Sequence, residues 1–170
     1  SVFLATVIVA QTNTPNASTP AATATPQKTD APRPVNRPPL TGSSYDIGRY
    51  EVTTEGEKTS VRFIETAKEI EAKIGMTFGF MWSLHGYTGT RLVPIRTVTK
   101  HPPFTPKGET TPRTMFDEKI YFKPINGTTN WPYLYKFETA EELVPGEWTM
   151  AVYYDTQLVA EHAFTVVPKK

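Results

Sequence analysis

Three histidines, His85, His101 and His162, are the side chains best suited to acid–base or metal chemistry in this chain, and they lie far apart in it. A metal centre built from them with Asp117 or Glu118 would require three separate elements to converge, so no metal ligand and no cofactor is expected. The adjacent carboxylates Asp117-Glu118 and Glu141-Glu142 flank loops, and neighbours on an extended segment point to opposite faces. They read as solvated charges rather than as an acid and a base aimed at one bond. The sequence carries no phosphate-cradling glycine loop, no nucleophile elbow and no zinc-protease helix. With no cysteine, disulfides, thiolate metal sites, a cysteine nucleophile and a lipid-modified N-terminal cysteine are all excluded. No catalytic residue is assigned, and a hydrolase using unpaired carboxylates is the weaker alternative to a binding or structural role.

Contact chemistry is better represented. Trp131, Tyr133, Tyr135 and Phe137 alternate along one stretch and have two readings, as sheet core or as an exposed row that stacks on sugar rings or anchors a partner. Trp131 and Tyr133 with Tyr87 are the candidate glycan contacts. Phe104 and Arg113 are the candidate partner contacts in Pro102 to Glu118, a proline-rich stretch long enough to suggest a functional loop. Asn16-Ala17-Ser18 and Asn126-Gly127-Thr128 fit the N-glycosylation acceptor pattern, which carries weight only in a eukaryotic source.

These residues need strands to position them. From Leu143 to Val167 the chain reads as a β-hairpin: Pro145-Gly146 suits a type II turn, and Trp148, Met150, Val152 and Tyr154 share one parity. After a polar turn at Asp155-Thr156, Leu158, Ala160, Phe164 and Val166 should face the same core. His162 falls on that face, where a bulge near the turn or an edge position would let it reach water. Met76, Phe78, Phe80, Trp82 and Leu84 alternate cleanly, placing Trp82 in a sandwich interior rather than against a sugar. Leu92 to Lys100 and Lys119 to Ile125 are further strands. The spacing of Ile64, Ala67, Ile70 and Ile74 fits a helical stripe as well as a strand.

The folded part is expected to begin near Tyr45, as one domain over residues 45–170. Before it, residues 11–44 are rich in proline, threonine and alanine, and seven prolines with no aromatic residue predict a disordered, semi-stiff spacer rather than a core. Residues 1–10, SVFLATVIVA, read as the end of a signal peptide with Ala10 before the cut, or else as a retained strand. The run is too short to span a bilayer. Export to the periplasm or beyond is the expectation. A formal net charge of +1, with basic residues scattered rather than striped, predicts no nucleic-acid partner. An envelope protein or a glycan remains.

VRFIETAKEIEAKIGMTFGF (Val61 to Phe80), the Val93-Pro94-Ile95-Arg96 run leading to Lys100-His101-Pro102-Pro103, ELVPGEWT (Glu142 to Thr149) and the closing AFTV (Ala163 to Val166) together resemble an uncharacterised family of exported bacterial proteins, domain of unknown function 3859. Order and spacing agree over about residues 45 to 167. The resemblance implies an all-β fold, a secreted or periplasmic immunoglobulin-like antiparallel β-sandwich, and carries no catalytic or binding residues with it. One departure is Glu71, where members usually have a proline that favours extended backbone.

Overall fold

The structure, a computed structural model, describes residues 40–87 and 92–169. Among the described residues nine strands form two facing sheets. The first contains β1 (Thr41–Glu55), β2 (Lys58–Thr66), β4 (Thr77–His85) and β7 (Thr128–Lys136) in the order β2-β1-β4-β7. The second contains β3 (Glu69–Glu71), β5 (Val93–Phe104), β6 (Arg113–Phe122), β8 (Gly146–Tyr154) and β9 (Gln157–Val167) in the order β3-β9-β8-β5-β6. All pairings are antiparallel except that of β3 with β9. The expected all-β sandwich is the fold. The spacer before it and the signal-like residues 1–10 lie outside the described residues, apart from the last residues before Tyr45.

The two best-patterned strands supply the centre. Phe78, Phe80, Trp82 and Leu84 of β4 meet Trp148, Met150 and Val152 of β8 in one core, none more than 1% exposed. Rings interlock across the gap: Phe78 lies edge-on to Phe164 at 5.1 Å and to Trp148 at 6.2 Å. Trp148 Nε1 donates to the Val144 carbonyl at 3.1 Å, so its polar atom is satisfied inside the core.

Several sequence expectations are corrected. β1 begins at Thr41, ahead of Tyr45, and its Gly42, Ser43 and Ser44 pair with Leu84, Ser83 and Trp82 of β4. Gly42 fits where a Cβ would come within 2.7 Å of the Val159 carbonyl, a contact only glycine permits. Residues 64–66 end β2 and 69–71 form β3, with Ile70 fully buried and a turn at Ile74, so the helical stripe is not realised. The stretch from Pro102 to Glu118 is mostly strand: β5 runs to Phe104, β6 starts at Arg113, and only residues 105–112 form the connection. Pro102 and Pro103 lie beyond Lys100, where the β5 ladder with β8 has ended, so neither removes a bond from it. Reversal before β8 uses a 3-10 turn at Ala140–Glu142 instead of a type II turn at Pro145-Gly146. Gly146, at φ 136°, opens β8 where a Cβ would meet Pro102 Cγ at 2.7 Å. In β9 a register shift opposite Val152 and Tyr153 turns Leu158 outward, 49% exposed, and buries Val159 in its place.

Candidate functional site

The aromatic row of β7 divides by position along an edge strand. Tyr135 and Phe137 are core residues, 7% and 0% exposed, beside Trp148. Tyr133 also turns inward. Its hydroxyl lies 2.6 Å from Thr99 Oγ1, and burial, partly offset by the hydrogen bonds to Thr99 and Thr97, pushes the phenol up to about 12. Trp131 alone reaches solvent, 37% exposed, with its ring 4.9 Å from Phe122 of the other sheet. Tyr87 is half-buried against the core near Gly127. Phe104 is buried at the opposite end, stacked near His101 and Trp148, and so is not a surface contact. Arg113 is exposed and pairs with Glu109 at 2.6 Å. Trp131 and Tyr87 therefore sit at one end of the sandwich and Phe104 and Arg113 at the other. The five do not form one surface, because parity along a strand does not distinguish a central strand from an edge.

The groups that could do acid–base chemistry are tied into the framework. Ser83 Oγ lies 3.0 Å from His85 Nε2 and 2.6 Å from Ser43 Oγ, and His85 Nδ1 lies 3.2 Å from Thr128 Oγ1. This serine–histidine pair ends in a hydroxyl rather than a carboxylate, so no charge stabilises an imidazolium, and Ser83 is only 5% exposed. The chain of hydroxyls links β1, β4 and β7. His162 bridges the sheets, with Nε2 2.7 Å from Ser44 Oγ and its ring edge-on to Phe80 at 4.7 Å. Asp117 receives Arg96 Nε at 2.8 Å and Nη2 at 2.7 Å, and these bonds hold its carboxyl below the usual range. Among the described residues no three His, Asp or Glu side chains cluster as metal ligands do.

One concavity stands apart from these networks. On the outer face of the four-stranded sheet an open groove of about 470 Å³ is lined by Tyr45 and Tyr50 of β1, Val61 and Phe63 of β2 and Met81 of β4, and it reaches β7 at Trp131 and Pro132. A bulge in β1 between Tyr45 and Gly48 shapes it, with Asp46 in the left-handed region at φ 50°. Tyr50 turns its hydroxyl back to the Asp46 carbonyl and packs edge-on to Phe63 at 5.4 Å. Tyr45 spans the sheet to donate to Asn130 Oδ1 at 2.7 Å. Tyr45 and Val61 remain 40% and 39% exposed. Asp46 is the one carboxylate in the lining, so the groove is built for apolar and aromatic contact with a few hydrogen bonds. The sequence reading missed it because the bulge breaks the alternation of β1, and the signal that remained was the repeated tyrosine in Tyr45-Asp46-Ile47-Gly48-Arg49-Tyr50.

Among the described residues no helix is long and apolar enough to cross a membrane. No curated protein matches the chain. A crystallised immunoglobulin-like protein from Pseudomonas aeruginosa is similar over 78% of this chain and 100% of its own, at 22% identity and a TM-score of 0.58. That similarity shows an immunoglobulin-like sandwich and nothing about activity. An alkylpurine DNA glycosylase from Pseudomonas fluorescens is similar at 9% identity over 75% of this chain and 30% of its own, with a TM-score of 0.40. A β-glucosidase from Listeria innocua follows at 11% identity, 70% and 16% coverage, and a TM-score of 0.36. The family described as domain of unknown function 3859 matches residues 41–166, and the chain belongs to it.

Proposed function

We propose that this protein is an exported, non-catalytic binding module of the cell envelope, held off its anchor point by the proline-rich spacer and meeting a protein partner through the outer face of the four-stranded sheet. The groove carries the proposal: exposed Tyr45 and Val61 beside Phe63 and Met81 give apolar contact area without a second acid or base next to Asp46. The ion-paired carboxylates Glu51, Glu65, Glu109 and Asp117 each face an arginine, which favours binding over hydrolysis. The full chain, used as bait on the envelope fraction of its source cells, retains a specific protein that the double variant Tyr45→Ala, Phe63→Ala releases. Equal retention by both proteins contradicts the assignment.

Exposed Trp131 beside Phe122 supports glycan binding as a second reading. A glycan array separates the two, because glycan binding predicts a signal that Trp131→Ala abolishes while the groove variant leaves it intact.

A further inference from the structure

We propose that the free edge of β2 is a strand-addition site, taken by an extended segment of a different protein whose alternate apolar side chains lie along the groove. The proposal deepens the protein-binding reading and rests on it. Its first support is a comparison of the sheet edges, which among the described residues fall at β2 and β7 in one sheet and β3 and β6 in the other. An exposed edge invites pairing unless it is short, interrupted or charged. β3 has three residues, β7 carries Pro132 at its centre, and β6 sets Glu118 and Lys119 side by side at its centre. In β2 the run Thr59-Ser60-Val61-Arg62-Phe63 has no proline or glycine and precedes the register shift that leaves Ile64 unpaired. Its charges are drawn sideways onto β1: Arg62 donates to Glu51 at 3.0 and 2.5 Å, and Glu65 accepts from Arg49 at 2.5 Å.

The hairpin fixes which backbone groups are open. Glu55 and Lys58 close a two-residue turn whose first central residue is Gly56 at φ 60°, and such a closing pair is hydrogen-bonded. Bonded and non-bonded pairs alternate from there, so Lys58, Ser60 and Arg62 bond β1, and Thr59, Val61 and Phe63 turn their N–H and C=O groups outward. Thr59, Val61 and Phe63 are also the β2 residues that line the groove. A segment bonded to them brings its own side chains alongside Val61 and Phe63.

Charge works against a second copy as the occupant. Two β2 strands paired antiparallel about a two-fold axis place residues of equal parity opposite each other. Registers centred on Ser60 and on Arg62 then set Lys58 against Arg62 and Arg62 against itself. Like charges directly opposite destabilise a sheet. The register centred on Val61 sets Ser60 against Arg62, and a chain that sediments as a dimer, with the dimer lost in Val61→Pro, would overturn the foreign strand. The fitting partner is a foreign strand with apolar residues on the groove side and acidic or hydroxyl residues opposite Lys58 and Arg62.

The test uses a synthetic peptide of about nine residues, the length of an ordinary strand, alternating valine or phenylalanine with glutamate and threonine. Titrated into the isotopically labelled full chain, it shifts the amides of Thr59, Val61 and Phe63 first. Val61→Pro removes an outward N–H without touching the β1 ladder and weakens binding at least about tenfold, with the melting temperature kept. Thr59→Pro, nearer the turn, serves if Val61→Pro unfolds. No binding, shifts that map elsewhere, or unchanged affinity in the proline variants overturns strand addition. An envelope protein still retained by Val61→Pro defeats this mode alone, and peptide binding at β2 with no envelope protein retained defeats the partner reading alone.

Discussion

His101 shows how a single side chain sets a condition on the whole fold. It is 6% exposed, its ring within 4.5 Å of Phe104, 4.8 Å of Phe116 and 4.9 Å of Trp148. Nδ1 donates to the Pro102 carbonyl at 2.8 Å, which leaves the lone pair on Nε2, buried and without a hydrogen-bond partner among the described residues. Burial lowers its pKa from 6.5 more than the Pro102 bond raises it. Burial, then Lys68, also lowers that of His162. A base whose folded pKa is depressed takes up protons more readily when unfolded. The stability these histidines contribute is therefore full above about pH 6.5 and declines as pH falls toward the folded values, by at most about 1.4 kcal/mol per unit for His101. His101→Phe makes that acid limb shallower in melting curves from pH 7 to 5, and an unchanged slope rejects the argument. Trp148→Ala costs about 3–5 kcal/mol, read from urea unfolding, because the indole is fully enclosed by rings. The burial of Trp82 and Trp148 was legible from parity. The exposure of Trp131 was not, since it depends on β7 being an edge.

Elements depend on where two backbones come close. Gly79, at φ 152°, sits where a Cβ would lie 2.0 Å from the Tyr133 carbonyl of β7. Gly79→Ala must push β4 and β7 apart and is expected to cost about 2 kcal/mol or more, measured as a lowered urea midpoint at constant m. A neutral Gly79→Ala contradicts that close approach. The strands β4, β8 and most of β9 could be read from alternation, which survives wherever a strand has one buried face. Bulges could not. An inserted residue reverses parity, so alternation places Leu158 in the core position that Val159 occupies and gives no sign that Tyr45 and Phe63 share a surface. The run from Pro102 looks like loop in the sequence because prolines punctuate it, although β5 tolerates them once its ladder with β8 has ended.

At the scale of the whole molecule, two sheets share one aromatic core, so the sandwich should unfold as a single unit. Tryptophan fluorescence and far-ultraviolet circular dichroism are expected to give the same urea midpoint, and separated transitions would count against a common core. The fold class followed from strand pattern and family resemblance together, whereas the groove arises from β1, β2 and β4 meeting across a bulge and has no contiguous signature. The partner contact proposed above is made by that surface rather than by the core. Hydrogen exchange on the complex of the full chain with the envelope protein it retains tests this most directly. Protection at Tyr45, residues 59–63 and Met81, with residues 105–112 unchanged, is the predicted result; protection confined to residues 105–112, or none on the four-stranded sheet, would contradict it.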